Sequence, residues 1–501
     1  MEYLLGVDFG GSSCKTTLLA ENGEVTAVAS KEYETFSPHV GWTEQNPDDA
    51  YEALVATVRE ILEKTAVCPE NIRAMAVDAA THTSVLLDAK DRVIRPAIFW
   101  TDKRSSKQAA YLKENYFDKI YSLVYNQPSP TWTMPQVMWV RDNEKENFDR
   151  ISRILFLKDY VRYRLTGDFV TDHIEAIGSM WMDVPNKRWS EELCTIGSIS
   201  PKMLPEIVEP TRILSPLRRE FCEQTGLSRK TKVIAGAPDT ALELYANGAI
   251  RPGQMTVKLA TAGRICPVAT EHLDNPLFFN YRHVIPGTWY PGTGTKSCAA
   301  SFRWYRDTLG MDEKQQASQL GTSAYAMMSE AAAQIPIGSE HLYFHPYLQG
   351  ENTPYFDTSL RASFVGATSH HTKAHFTRAL LEGVAFSLKD CFAEIKRMEL
   401  SIQSARIIGG GAASPLWRQI VADMLNIPLT KNENSDSSLG SAMLAGVASG
   451  VFASYEESVE KCVREESVVE PIPENVEQYD EHFGIYKEIQ AVLAPVYHKM
   501  H

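Results

Sequence analysis

The chain has 501 residues, of which 44% are hydrophobic and 23% charged, enough for two or three domains that each bury a core. Its formal net charge of −13 excludes the basic footprint of a nucleic-acid or anionic-membrane binder, so backbone amides and a metal ion would have to meet any anionic ligand. The eight cysteines are scattered without a CxxC pair, which reads as reduced thiols rather than a disulfide framework.

The first residues, MEYLLGVD, carry no basic flank, and their apolar run is too short for a signal peptide or a membrane helix, which predicts a cytoplasmic protein. Residues 3–9 (YLLGVDF) predict a strand, and KTTLLA after them a second. ENGE (21–24) carries an Asn-Gly hairpin signal, and VTAVASKEY returns as a third strand. The segment VDFGGSSCKTT (7–17) places small residues and Lys15 after an aspartate, as a phosphate-holding loop would. A Walker loop or a Rossmann turn leads from strand into helix. Here the next hairpin follows too closely for a helix, so the loop is a hairpin tip.

Amphipathic helices are predicted at 47–65, 103–115, 158–165, 376–397 and 415–425, with short strands at 74–80, 232–238, 255–268 and 405–411. That alternation implies an α/β protein with partly parallel sheets. GQMTVKLATAGRICPV repeats the pattern of strand, small-residue turn and strand near mid-chain, which suggests a duplicated architecture. IRPGQ (250–254) supplies the break, giving expected domains 1–249 and 250–501. The acidic tail after Tyr455 reads as a solvated helix or two.

Several stretches carry chemistry. In the tips 8–15 and 260–264, converging backbone amides make an anion-binding concavity, and the hydroxyls of Ser12, Ser13 and Thr261 add donors. Asp8 repels phosphate directly and suits a Mg²⁺ ligand, direct or through water; either tip alone is also compatible with an ordinary glycine hairpin. IIGGGAASPLWRQIVADML (407–425) ends a strand in glycines and starts a helix after Ser414 and Pro415. Its glycines would let a ring or ribose approach the backbone, or simply make a tight turn. In GAPDTALELYANG (236–248), Asp239 reads as a helix N-cap. The same place suits an ionised carboxylate that accepts a proton late in phosphoryl transfer. PGTGTKSCAA (291–300) fails the Walker pattern because Thr295 precedes its lysine. His82, Trp100 and Asp102, with Trp132 in the loop NQPSPTWTMP, combine hydrogen-bonding groups and ring faces suited to a polyol, although His82 and Trp100 also fit a plain core.

These stretches together resemble the FGGY carbohydrate kinases of the actin-like ATPase superfamily. The resemblance runs from about residue 3 to 450 through GVDFGGSSCK, LLDAKDRVIRPAIFWTDKR, LKDYVRYRLTGDFVTD, GSMWMDV, FHPYLQGENTP, RALLEGVAFSLKD, IIGGGAASPLWRQIVADML and SLGSAMLAG. It implies two actin-like (ribonuclease H-like) α/β domains with ATP in a central cleft. The first would hold sugar, a phosphate loop and the base, and the second the other phosphate loop and the adenosine. By the same resemblance Asp8, Gly10, Gly11, Ser12, Ser13 and Lys15 of the first tip would face the triphosphate, with Thr261, Ala262 and Gly263 of the second. Ala299, Arg303, Gly410, Gly411, Ala412 and Ser414 would flank the nucleotide. Asp239 matches the catalytic base, and Thr81 with His82 the sugar-contacting pair; Asp8 and Asp239 would serve Mg²⁺.

The implied reaction is ATP-dependent phosphorylation of a terminal hydroxyl on a ketopentose such as xylulose, by a homodimer with no nucleic-acid or membrane partner. Kinases for ribulose, gluconate, glycerol or a signalling sugar are the alternatives, and a non-catalytic sugar-binding regulator is a further one. The chain departs from the family at Gly11, where threonine is usual, and at LATAG, ATHTS and APDT, where LGTSG, QMHG and a Gly-Gly-Asp-Asn run are usual. Changed polar residues at a hydroxyl-binding site point to a changed substrate.

Overall fold

In the computed structural model, which describes residues 1–500, the opening residues form the predicted meander. Strand β1 (Tyr3–Phe9) pairs antiparallel with β2 (Ser13–Ala20), and β2 with β3 (Val25–Glu32). The turn between β2 and β3 needs its glycine. Gly23 has φ 85°, and a Cβ there would lie 2.0 Å from the Lys461 carbonyl oxygen. β4 (Ile72–Ala79) runs parallel to β1 and β5 (Lys232–Val233) parallel to β4, giving the order β5-β4-β1-β2-β3.

The mid-chain echo is a second sheet of the same plan. β6 (Gln254–Leu259), β7 (Gly263–Pro267) and β8 (Thr293–Thr295) form an antiparallel meander. β9 (Ser404–Ile408) lies parallel to β6, β10 (Leu429–Asn432) parallel to β9, and β11 (Glu465–Val469) closes the edge antiparallel. Each meander of three strands is thus extended on one side by two parallel ones. The tips at 10–12 and 260–262 are both hairpin turns, as their sequences predict.

Two compact units contain these sheets. The first comprises Met1–Ile250, Asn280–Trp289 and Asn434–Arg464. The second comprises Arg251–Phe279, Tyr290–Glu433 and the described residues from Glu465 onward. The segments 280–289 and 434–464, which lie beyond the expected boundary at 249/250, therefore pack with the N-terminal unit. Position 501 of the expected second domain lies outside the described residues. No disulfide joins the cysteines of the described residues.

The predicted helices form at Pro47–Thr65, Ser106–Val124, Leu157–Thr166, Lys373–Arg397 and Pro415–Leu425. Ser414 caps the last of these, its hydroxyl accepting from the Trp417 amide at 3.3 Å. Three expectations are corrected. The segment 232–238 gives only the two-residue β5, because Gly236 at φ 75° turns the chain towards a helix. Asp239 is not the N-cap but the first helical residue, with Pro238 before it. The tail is not simply solvated. Helix Pro473–His498 buries Tyr479 and Tyr486, seven residues apart on one face, in the core of the second unit. Their acidic neighbours conceal this stripe in the composition. The Tyr479 hydroxyl accepts from Arg378 at 2.7 Å and donates to Glu382 at 3.0 Å.

In the first unit, helix Ser437–Ser449 packs so closely that only glycine fits at two contacts. A Cβ on Gly6 of β1 would lie 1.8 Å from the Ser438 carbonyl oxygen, and one on Gly440 would lie 2.1 Å from that of Leu242. Backbone atoms cannot rotate away as side chains can. Gly440→Ala should therefore destabilise the protein by about 1–3 kcal/mol despite alanine's better helix propensity. A lower urea midpoint checks this.

Candidate active site

Parallel pairing decides the central feature of the first unit. β1 and β4 run in register with Asp8 opposite Asp78, so two carboxylates stand side by side where adjacent strands end. β5 extends the sheet on the far side of β4, and the chain leaving it reaches Asp239 at the start of helix Asp239–Ala246. Three acids thus gather at the carboxyl ends of three neighbouring parallel strands, where open α/β sheets bind ligands. Asp239 accepts from the Thr240 amide at 2.5 Å.

Asp78 is fully buried, and one of its oxygens accepts from the Ser441 hydroxyl at 2.5 Å. Burial holds its carboxyl well above the usual range, with the charge of Asp8 adding to the effect. Of the two carboxyls, Asp78 is the more deeply buried and holds its proton the more firmly. Asp8 itself is pushed up to about 7, by burial first and then by the charges of Asp239 and Asp436. Crowded oxygen donors with uncompensated negative charge suit a hard cation such as Mg²⁺, which takes carboxylate and water oxygens.

The expected phosphate-loop residues lie around this cluster. Lys15 on β2 stands opposite Asp8 in the ladder, and its ammonium pairs with Asp436 at 2.7 Å. Asp436 caps helix Ser437–Ser449 by accepting from the Leu439 amide at 3.2 Å, and Lys15 holds its carboxyl below the usual range despite burial. In the tip, the Gly10 amide donates to the Ser13 carbonyl at 2.9 Å, and the Tyr33 amide to that of Ser12 at 3.0 Å. The hydroxyls of Tyr33 and Thr35 hold the carbonyls of Gly10 and Gly11. The carbonyls are thus tied back while Gly11 and Ser12 lie exposed.

The polyol candidates divide into two groups. His82 sits at φ 76°, an uncommon conformation for a non-glycine residue. Its Nδ1 lies 2.9 Å from the Gly178 carbonyl, to which it donates, so Nε2 accepts from the Tyr281 hydroxyl at 3.2 Å. Trp132 packs edge-on to His82 with ring centres 4.6 Å apart, and stacks on Tyr281 at 5.9 Å. Thr81, half-buried, adjoins His82, and both crowd Gly178, where a Cβ would lie 2.5 Å from the Thr81 methyl. Trp100 packs on Phe99 at 6.0 Å. Asp102 is buried, and both its oxygens are engaged. It accepts from the Thr43 amide at 2.5 Å and from the Arg104 guanidinium at 2.8 Å. Its place is structural, holding the turn that carries Trp100.

A buried charge network supports His82. Lys158 lies 2.6 Å from both Asp159 and Asp172, and Asp159 lies 2.9 Å from Arg162. Asp172 caps helix His173–Gly178 through the amides of Ile174 and Glu175. Glu175, which burial holds well above the usual carboxylate range, accepts from the His82 amide at 3.2 Å.

In the second unit, the carbonyls of Ala260 and Thr261 accept the amides of Ala299 and Cys298 at 2.8 and 3.0 Å, joining the tip to helix Ala299–Thr308. Thr261, Ala262 and Arg303 are exposed, and Gly263 is buried. A turn of 3₁₀ helix, Gly410–Ala413, leads to Ser414. Gly409 (φ 90°) and Gly411 pack against Leu259, whereas a Cβ on Gly410 would meet no atom within 4 Å. Ala412 is buried, and its carbonyl accepts from Arg418 at 2.7 Å.

Sequence reasoning missed Asp78, Asp436, Glu175 and Tyr281. The first had a signal, since AMAVD repeats the apolar run ended by aspartate in LLGVD. Asp436 had a helix-start signature before SSLGSAMLAG. Tyr281 had none, because its segment returns to the first unit from far along the chain.

Comparison with known proteins follows this geometry. The models for the N-terminal and C-terminal domains of the FGGY family of carbohydrate kinases match residues 3–245 and 265–449. The chain is 32% identical to a xylulose kinase of Bacillus subtilis (strain 168), over 98% of this chain and 97% of that protein. It is also 28% identical to a gluconokinase of the same strain, over 99% and 97%. The crystal structure of ligand-bound xylulose kinase from Lactobacillus acidophilus superposes with a TM-score of 0.91 at 26% identity, covering 100% of both chains. Among the described residues no helix is long and apolar enough to cross a membrane.

The raised Asp8 carboxyl has a measurable consequence. In metal-free and nucleotide-free buffer the native state keeps, between about pH 4 and 7, a proton that the unfolded chain releases, so stability falls as pH rises through that window. The expected loss is ~2 kcal/mol, below the value for full burial because Asp8 keeps partial solvent access. Asp8→Asn removes the group that titrates across this window and should make the profile shallower. Urea midpoints at the two ends of the window check this.

Proposed function

Because the chain belongs to the FGGY family of carbohydrate kinases, we propose that it transfers the γ-phosphoryl group of ATP to a terminal hydroxyl of a ketopentose such as xylulose, with Asp239 as the base. The observation that carries this reading is the position of Asp239 at a helix start, beside the Asp8–Asp78 pair whose charge it perturbs. Phosphoryl transfer needs little covalent help, and a positioned carboxylate that takes the hydroxyl proton suffices. Asp8, with Asp239 through water, would hold Mg²⁺, which supplies charge neutralisation at the phosphates.

Backbone amides of the tip Gly10–Ser13 would bind phosphate oxygens, with the Ser12 and Ser13 hydroxyls as further donors. Lys15 would act by fixing Asp436 and the start of its helix. In the second unit, Thr261–Gly263 would serve phosphates, and Ala299, Arg303 and Gly410–Ala412 the nucleoside, with Ser414 capping the helix beyond them. His82, Thr81, Trp132 and Trp100 would receive the sugar, and Asp102 would shape their support.

A neutral ketose suits the surroundings of His82 better than an aldonate. Its neighbours are the Tyr281 hydroxyl, Trp132 and the Glu175 carboxyl. The guanidinium of Arg104, which an aldonate would seek, is engaged by Asp102 and Glu44. Full-length similarity to a gluconokinase keeps gluconate as the second reading.

ADP release measured over ketoses, polyols and aldonates tests both. Xylulose should give the highest kcat/KM, and a maximum with gluconate would replace the first reading by the second. Asp239→Asn should lower kcat by ~10²–10⁴ with KM for ATP nearly unchanged; near-normal turnover would remove Asp239 from the role of base. The glycines separate packing from binding. Gly410→Ala should raise KM for ATP several-fold at unchanged thermal stability. Gly409→Ala should lose about 1–3 kcal/mol of stability, because φ 90° and the Leu259 backbone exclude a Cβ.

A further inference from the structure

The second unit brings together a set of metal-ligating side chains that the kinase reaction does not use. Ligand atoms of Glu340, His370 and His375 all lie within 4.8 Å of one another. Glu340 Oε2 is 2.7 Å from His370 Nε2 and 3.4 Å from His375 Nε2. Zinc bonds of about 2.0–2.1 Å in a tetrahedron place donors about 3.4 Å apart. Small rotations of the two exposed ligands, Glu340 and His370, would reach that geometry.

The backbone presents these groups at a conformational cost. Ser339, Glu340 and His341 all have positive φ, at 48°, 52° and 68°. Such runs of non-glycine residues persist where the surroundings enforce them. Here the Ser339 hydroxyl donates to the His375 carbonyl at 3.2 Å, and Glu382 accepts the Gly338 amide at 3.2 Å. His371 also lies close, but its ring serves the loop. Its Nδ1 accepts from the Thr368 amide at 2.9 Å, and Nε2 donates to the Glu340 carbonyl at 3.2 Å.

His375 is oriented as a ligand would be. Its Nδ1 lies 2.9 Å from the Thr372 hydroxyl. With Nδ1–H donating there, the Nε2 lone pair faces Glu340, the arrangement in which an outer hydrogen bond fixes a metal-binding imidazole. In the absence of metal the other tautomer closes the capping box of helix Lys373–Arg397, since Nδ1 accepts from the Thr372 amide at 3.2 Å and Nε2–H donates to Glu340. Binding an ion moves that proton to Nδ1, towards the Thr372 hydroxyl, and gives up the amide bond.

We propose that Glu340, His370 and His375 bind one divalent ion of the zinc class, with water in the remaining position. Two imidazoles and one carboxylate select zinc-like ions over Mg²⁺, which prefers oxygen donors in an octahedron. The ion would clip the turn at 338–341 to the first turn of helix Lys373–Arg397, whose Leu380, Val384 and Leu388 lie in the core of the unit. Its effect is thermal stability, because an ion bound only by the native state shifts unfolding.

The test is calorimetric titration of the full-length, metal-stripped protein with Zn²⁺, with and without excess Mg²⁺. Binding of one Zn²⁺ per chain that survives Mg²⁺, and is weakened at least about tenfold by both His370→Ala and Glu340→Gln, supports the site. Zn²⁺ should also raise the thermal unfolding temperature of the wild type but of neither variant. Equal affinity and stoichiometry in wild type and variants, displacement by Mg²⁺, or no binding would each overturn the site and leave these side chains an ion pair. Both substituted positions are exposed and neither is the N-cap Thr372 nor its capping partner His375, so the variants remain folded controls.

Discussion

Like charge placed side by side in a low-dielectric sheet is the constraint on which the first unit depends. The parallel register that sets Asp8 beside Asp78 offers no lateral escape, because each side chain projects from a strand end fixed by its ladder. The cation on the neighbouring strand, Lys15, is held by Asp436. Protonation relieves the repulsion, which is why both carboxyls are raised, and a bound divalent ion would relieve it in the same way. The tight packing around Gly6, Gly440 and Ser441 follows from the same need, since it brings a hydroxyl to Asp78 while excluding water from the back of the pair.

The two sheets share a meander and two parallel neighbours, yet their strand ends differ. At the end of β1 and β4 stand two aspartates, whereas β6 and β9 end with Lys258 opposite Ile408, followed by the alanine tip on one strand and Gly409 on the other. Carboxylates suit a metal and a reacting hydroxyl. Glycines without side chains suit a flat, largely neutral ligand that approaches backbone. One topology therefore carries two different sets of strand-end residues, which is why fold alone does not assign the substrate.

What could be read from the sequence was local. The hairpin tips, the helix beginning at Pro415 and the strand endings in aspartate or glycine depend on residues within a few positions of one another. Tyr479 and Tyr486 were hidden by acidic neighbours, because composition averages over a helix while burial selects one face. Tyr281 was hidden for a different reason. Its contact with His82 spans 199 positions, and nothing near either residue announces the other. Asp102 had a promising identity for a polyol site, but only the fold reveals that Arg104 engages its carboxylate.

If His82 receives the sugar as proposed, specificity cannot reside in the half-buried segment around it alone. His82 takes its left-handed backbone from a set of fixed partners: the Glu175 carboxyl on its amide, Thr133 on its carbonyl and Gly178 on its ring. Glu175 is in turn placed by a helix that Asp172 caps, and Asp172 is held by the buried Lys158. Removing one member of such a buried network leaves an uncompensated charge, so its members change together or not at all. On that reading, a new acceptor would be accommodated by changing the groups that pack on His82, such as Tyr281 and Trp132, while preserving the charges beneath it. In the acceptor site we propose, the rings around His82 can vary only as far as the buried salt bridges behind them allow.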